Sequence, residues 1–108
     1  MPRYLVLLAY SAEGMKGFLK EKAAAREAAG RKAAESVGGK SEAWYWTATG
    51  EYNVASIGEF PDAATANALG TLLISSGAIS KFNIMELLTT SEIDRALGKS
   101  IAYRPPGG

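Results

Sequence analysis

The sequence predicts an α+β fold: a four-stranded antiparallel sheet, two helices on one of its faces, and a short C-terminal helix. A chain of 108 residues is long enough for one hydrophobic core and too short for two. Short apolar or aromatic runs alternate with longer segments rich in strong helix formers. Their order is βαββαβ, the split βαβ arrangement, followed by one more helix. We expect a single domain over residues 1–98 and a flexible tail over residues 99–108.

The first half of this order starts from a buried strand. Leu5–Ala9 is a nearly continuous apolar run, which is typical of a strand covered on both faces. Ser11–Gly14 then supplies a helix cap, and Met15–Val37 is rich in Ala, Lys, Glu and Leu. We therefore expect one long helix that ends at Gly38–Gly39.

A β-hairpin follows the first helix. Lys40–Ala48 holds the aromatic residues of one strand, Thr49–Gly50 interrupts the pattern, and Tyr52–Phe60 resumes it. A two-residue turn at Thr49–Gly50 would place Trp46 opposite Asn53 and Trp44 opposite Ala55. Both indoles and the Asn53 side chain would then share one face of the sheet.

The second half repeats the pattern. Pro61–Asp62 is a helix-start signal, and Ala63–Ser76 carries one apolar stripe at helical spacing. Ala78–Leu88 returns to strand character. The cap-like run Thr89–Glu92 then predicts a short helix that ends at Leu97.

The uncovered face of the sheet predicts self-association. Two crossover helices can cover only one face, and the strands are too apolar for the other face to stay in water. A two-fold pair that packs sheet against sheet would bury that face. We therefore expect a homodimer or a higher homo-oligomer.

Composition excludes several classes of function. The chain has no Cys and no His, which removes thiol nucleophiles, thiolate metal sites and the usual general base. The net charge of +1 is too small for nucleic-acid binding, and no segment reaches the length of a membrane span. No phosphate-binding loop, dinucleotide fingerprint or metal-binding pair of carboxylates is present, so we predict no cofactor and no metal site. A cytoplasmic location is expected.

Several short motifs, taken in their order, resemble the GYD domain family. They are Ser11–Gly17, Gly38–Gly39, Gly50–Asn53, Pro61–Asp62 and Leu87–Glu92, and the resemblance runs over about residues 3–97. It implies a ferredoxin-like fold similar to the dimeric α/β barrel proteins, in a family without an established activity.

The family takes its name from a Gly, a Tyr and an Asp. Gly50 and Tyr52 match the first two, and Asn53 stands where the acid is expected. An Asn keeps hydrogen-bonding capacity but cannot act as a general base. We therefore expect no role for Asn53 that needs a carboxylate, whereas a structural role in ordering the hairpin is retained.

Arg26 is the most unusual residue of the first helix. At helical spacing it shares the stripe that faces the sheet with Gly30, where we expect close packing. Its guanidinium either binds a carboxylate, phosphate or enolate in a cleft, or pairs with an acid of the chain such as Glu51.

The hairpin supplies the other candidate ligand-binding residues. Trp44 and Trp46 either fill the core and the dimer interface or line a pocket for a flat organic ligand. Tyr52 and Asn53 are candidates for hydrogen bonds to such a ligand, and Glu51 is either a base or a surface acid.

These residues predict an oligomeric protein that binds a small anionic or aromatic molecule between sheet and helices. One alternative is a cofactor-independent isomerase or oxygenase, with Arg26 holding the anion and Tyr52 handling a proton. The other is an interaction or regulatory subunit that docks through its basic first helix. The sequence identifies no catalytic residue.

Overall fold

The structure is a computed structural model that describes residues 1–48 and 50–108. Four strands pair antiparallel in the order β2-β3-β1-β4. The predicted α+β class and four-stranded antiparallel sheet are therefore confirmed, and the strand order fits the βαββαβ plan in outline. The elements are β1 (Arg3–Tyr10), α1 (Ala12–Glu21), α2 (Ala23–Ser36), β2 (Lys40–Trp46), β3 (Val54–Glu59), α3 (Ala63–Ser75), β4 (Ile79–Leu87) and α4 (Thr90–Leu97).

The prediction of one helix over residues 15–37 is wrong, because two helices meet at Lys22. The backbone of Lys22 has φ 76°, outside the helical region, and its N–H donates to the Phe18 carbonyl at 2.7 Å. Beyond this break α2 packs against β2, while α1 packs against β1. The break lets the two segments follow different strands, and it leaves Leu19 of α1 exposed.

The core lies between one face of the sheet and the helices. Tyr4, Val6 and Leu8 alternate along β1 and are buried on this face. Here α2 contributes the buried Ala34, and α3 contributes Ala66 and Leu69. The two helical segments after β1 and β3 thus cover the same side of the sheet, as the sequence predicts.

The register of the β2–β3 pair differs by one residue from the prediction. Trp46 pairs with Val54 and Trp44 with Ser56, so the predicted partners Asn53 and Ala55 are wrong. The cause is the length of the connection: β2 ends at Trp46 and β3 begins at Val54, so the turn is longer than two residues. Thr49 of the predicted turn lies outside the described residues. Both indoles still share a face, because alternation within β2 does not depend on the register.

The other face of the sheet is mainly apolar, with Arg3, Glu59 and Asn83 among its polar residues, and we call it the open sheet face. In the register Leu5 lies between Ile57 and Met85, and Leu7 lies between Ala55 and Asn83. The tyrosine of β2, Tyr45, extends this face and is 67% exposed, and Met85 is 44% exposed. Its apolar residues are Leu5, Leu7, Ala43, Tyr45, Ala55, Ile57, Met85 and Leu87.

Side-chain caps fix the starts of the last two helices. The Asp62 carboxylate accepts from the Thr65 N–H at 2.7 Å, and Thr89 and Glu92 form a capping box ahead of α4. These backbone amides hold the pKa of the Asp62 and Glu92 carboxyls below their ordinary values. In the part of the chain that is described, no helix is both long and apolar enough to cross a membrane.

Because the folded pKa of Asp62 is lowered, we expect its cap to stabilise the fold above the ordinary pKa of 3.8 and to lose this contribution as the pH falls through the folded pKa. Asp62→Asn keeps a capping oxygen and removes the titration. Denaturant unfolding from about pH 7 to about pH 3 should show a smaller loss of stability for Asp62→Asn than for the wild type. Asp94→Asn, in the middle of α4, serves as the control. A difference between Asp62→Asn and the wild type that stays constant with pH would contradict the prediction.

Candidate functional site

A cleft opens where α1 and the start of α2 meet the end of β1 and the turn before β4. Its volume is about 340 Å³. We call it the Arg26 cleft, and it is lined mainly by Tyr10, Phe18, Glu21, Arg26, Ser76 and Gly77. The helix changes direction between Glu21, the last residue of α1, and Arg26 in α2. Both residues line the cleft, so the break contributes to its shape.

The Arg26 guanidinium lies at the mouth of the cleft. Its Nη1 donates to Oε2 of Glu21 at 3.0 Å, and the Tyr10 side chain lines the cleft beside it. The interaction with the Tyr10 side chain, followed by those with Glu21, raises the Arg26 pKa, and partial burial opposes this. Arg26 therefore pairs with an acid of its own chain, but that acid is Glu21, and the prediction of Glu51 is wrong. Glu51 is exposed and lies 4.0 Å from the Lys81 ammonium.

An inner pocket of about 90 Å³ leads from Arg26 to Trp44. Leu8 and Leu73 form apolar walls, and Gly30 lets the indole approach α2. A Cβ on Gly30 would lie 2.2 Å from Cη2 of Trp44, so the expected close packing is confirmed. Among the described residues, the buried Nε1 of Trp44 has no hydrogen-bond partner.

A row of aromatic rings connects the cleft to the hairpin. The ring of Phe18 lies 5.7 Å from Tyr10 and 5.1 Å from Trp46, and Trp46 lies 6.0 Å from Trp44. These separations are those of edge-to-face and tilted aromatic contacts. A second cavity of about 340 Å³ is lined by Tyr10, Phe18, Trp46 and Asn53, among others.

Asn53 joins the hairpin to the end of β1. Its Oδ1 accepts from the Tyr10 N–H at 2.9 Å, and its own N–H donates to the Leu8 carbonyl at 2.8 Å. Its carbonyl accepts from the Thr47 N–H at 3.0 Å. These bonds continue the β1–β3 ladder beyond the last strand residue, and a carboxylate oxygen could accept the same bond from Tyr10.

Gly50 and Tyr52 shape the same connection. Gly50 has φ +107°, a conformation that side chains disfavour, and the Thr47 hydroxyl donates to the Tyr52 carbonyl. The half-buried Tyr52 thus has its backbone held in the hairpin, and the tyrosine that lines the cleft with Arg26 is Tyr10 instead.

The predicted site residues therefore fall into separate places. Arg26 and Trp44 line one pocket, Trp46 and Asn53 line the second cavity, and Tyr52 lies in the hairpin connection. Sequence reasoning missed Tyr10 and Phe18, which contact several of these residues. Alternation along β1 was an available signal, since Tyr10 follows Leu8 by two positions and so shares its face.

Comparison with known protein families agrees with this structure. The model of the GYD domain matches residues 4–97, which is nearly the whole chain. None of the curated proteins matches the chain. The matched region runs from β1 through α4 and includes both the Arg26 cleft and the hairpin with Gly50, Tyr52 and Asn53. The resemblance noted from the sequence is confirmed, and the chain belongs to the GYD domain family.

Proposed function

We propose that this GYD-family protein is a homo-oligomer that binds a small flat organic anion in the Arg26 cleft. The observation that carries the proposal is the polarity of the cleft and its inner pocket. Arg26 and Tyr10 line both spaces, and the second is mainly apolar and is also lined by Trp44. Such a site fits a molecule with a charged group at one end and a ring at the other.

The ion pair at the mouth supports binding of an outside anion. The Glu21 side chain is half exposed, so its interaction with Arg26 is screened by water and contributes only about 0–1 kcal/mol. A ligand carboxylate that engages both nitrogens of the guanidinium fork forms stronger, shorter bonds. Such a ligand would displace Glu21 at small cost and keep the Tyr10 hydroxyl as a second partner.

The inner pocket supports the choice of a flat ring. Its walls include the Trp44 indole, Leu8 and Leu73, and a planar apolar group packs well among such side chains. The buried Trp44 Nε1 has no partner among the described residues, so a ligand oxygen near it would satisfy an otherwise costly donor.

We expect benzoate and related aromatic carboxylates to raise the melting temperature of the wild type, and Arg26→Ala to abolish this shift. Thermal-shift titration compares benzoate and cinnamate, which carry a carboxylate and a ring, with inorganic phosphate, which carries charge alone. The comparison tests whether the site needs both the charge and the ring of the ligand. Lys32→Ala, which removes an exposed positive charge from the same helix, is the control and should respond like the wild type. A shift that persists in Arg26→Ala, or no shift with any of these anions, would refute the proposal.

The oligomer in this proposal forms through the open sheet face. Apolar side chains from all four strands line that face, and α2 and α3 pack against the opposite one. A contiguous apolar patch of this kind is unfavourable in water and marks an interaction surface. We accordingly place the chain in the ferredoxin-like class of proteins that form dimeric α/β barrels.

Replacing Leu7 with glutamate should convert the oligomer to a monomer, because it puts a charge at the centre of the open sheet face. Leu72→Glu makes the same change on the solvent side of α3, where the leucine is already 61% exposed, and should leave the oligomer intact. Sedimentation velocity of the wild type and both variants measures the outcome. A wild type that stays monomeric at high micromolar concentration would overturn this part of the proposal.

A further inference from the structure

The end of the chain presents a second apolar surface to solvent. Every residue from Met85 to Gly108 is exposed. We call residues 88–103 the C-terminal arm. Its large apolar side chains, with their exposed fractions, are Leu88 (52%), Ile93 (42%), Leu97 (75%), Ile101 (83%) and Tyr103 (69%). Isolated exposed leucines are ordinary in soluble proteins, but this arm exposes all of its large apolar residues.

The helix of the arm is amphipathic and short. Ile93 and Leu97 are four residues apart and share one side of α4, while Ser91 and Arg95 lie on the other. An isolated helix shorter than about 12–15 residues is marginal in water, and α4 has eight. The capping box stabilises the start of α4 but cannot take the place of packing against its apolar side. We therefore expect that side of α4 to be covered in solution.

The arm points away from the body of its own chain. The backbone of Thr89 is extended, and the capping box fixes the direction in which α4 starts. The radius of gyration is 17.2 Å, whereas a compact chain of this length has about 13 Å. The longest dimension is 58 Å against 32 and 25 Å for the other two. The cover for α4 must therefore come from another molecule.

We propose that α4 of each copy packs against a second copy of this chain, beside the edge of that copy's open sheet face. This inference rests on the self-association proposed above and names the element that the partner contributes. The strand β4 lies at an edge of the sheet, and α4 begins three residues after β4 ends. When two open sheet faces meet in a closed two-fold pair, α4 of each copy therefore lies next to the partner, which covers its apolar side.

Two matched double variants test the contact. Ile93→Asp with Leu97→Asp places two negative charges on the apolar side of α4. Ser91→Asp with Arg95→Gln changes the net charge by the same amount on the polar side. We expect the first pair to weaken dimerisation by roughly tenfold or more, because two large apolar side chains lose their burial. The second pair should leave the dissociation constant unchanged. Equal effects of the two pairs would overturn the proposal.

Hydrogen exchange of the α4 amides in the full-length wild type gives an independent readout. We expect protection at high protein concentration that is lost on dilution and lost in Leu7→Glu, because a free helix of this length exchanges readily. Protection that persists in monomers would show that the arm is covered within its own chain and would overturn the inference. Rapid exchange in a persisting dimer would overturn it while leaving self-association in place. Absence of any dimer would remove self-association as well.

Discussion

Replacing Gly14 with alanine should lower the free energy of unfolding by about 3 kcal/mol, because the added methyl group meets backbone instead of a side chain that can move. A Cβ at Gly14 would lie 2.0 Å from the Ala78 carbonyl oxygen and 2.8 Å from its carbon. The same carbonyl accepts from the Ser11 N–H at 2.9 Å, so moving it away would strain the bond that anchors the start of α1. Moving this carbonyl would also change the shape of the Arg26 cleft, because Gly14 and Ala78 both line the cleft.

Gly17→Ala is the matched control for this prediction. It lies three residues later in the same helix, and a Cβ there meets nothing within 4 Å. The alanine should therefore stabilise the protein by about 1 kcal/mol through helix propensity alone. Urea unfolding of both variants measures the two changes in the free energy of unfolding. We predict that these changes have opposite signs. Two changes of the same sign would show that α1 does not approach the start of β4 as closely as the structure has it.

Replacing Asn53 with leucine should cost about 1–3 kcal/mol, because it leaves the half-buried Tyr10 amide without an acceptor. The Asn53 oxygen lies 2.9 Å from that amide, at the point where β1 ends and the cleft begins. Asn53→Asp keeps an oxygen of the same reach and should stay close to the wild type in stability. Urea unfolding compares the variants, and hydrogen exchange at the Tyr10 amide should quicken in Asn53→Leu alone. Equal losses of stability in both variants would show that the hydrogen bond to the Tyr10 amide is not the reason why Asn53 stabilises the fold.

This second prediction bears on the family motif. The chain belongs to the GYD domain family, and the resemblance read from the sequence puts Asn53 at the position of the family's acid. The observed bonds of Asn53 require an acceptor oxygen, and either an amide or a carboxylate provides one. If Asn53→Asp is tolerated and Asn53→Leu is not, the motif position orders the hairpin in this protein whichever of the two residues it holds.

Local patterns predicted much of the fold and part of the candidate site. Asp62 and Thr89 begin their helices as the capping signals indicate, because a cap acts within one turn of chain. Arg26 and Trp44 were both proposed from the sequence, one from its helical stripe and one from its strand, and they line the same pocket. Their meeting follows from the order of the elements, since α2 and β2 are consecutive and pack together.

Other parts of the site depend on distances that no local pattern encodes. Arg26 pairs with Glu21, five residues away, which a continuous helix would place on different sides of its surface. The pair forms because the helix breaks at Lys22. Tyr10 is the last residue of β1, and only the approach of α1 and α2 to that end of the strand brings it to the cleft that Arg26 lines.

The sequence by itself determined the class of the fold, the faces of its strands, the helix caps and the family. Each of these follows from residue type and from spacing within one element, where geometry is fixed by covalent structure and by a helical or extended repeat. Only the tertiary structure decided the helix break at Lys22, the hairpin register and the partners of Arg26 and Asn53. Those features depend on how separate elements pack, and packing is set by the joint fit of many side chains that are far apart in the chain.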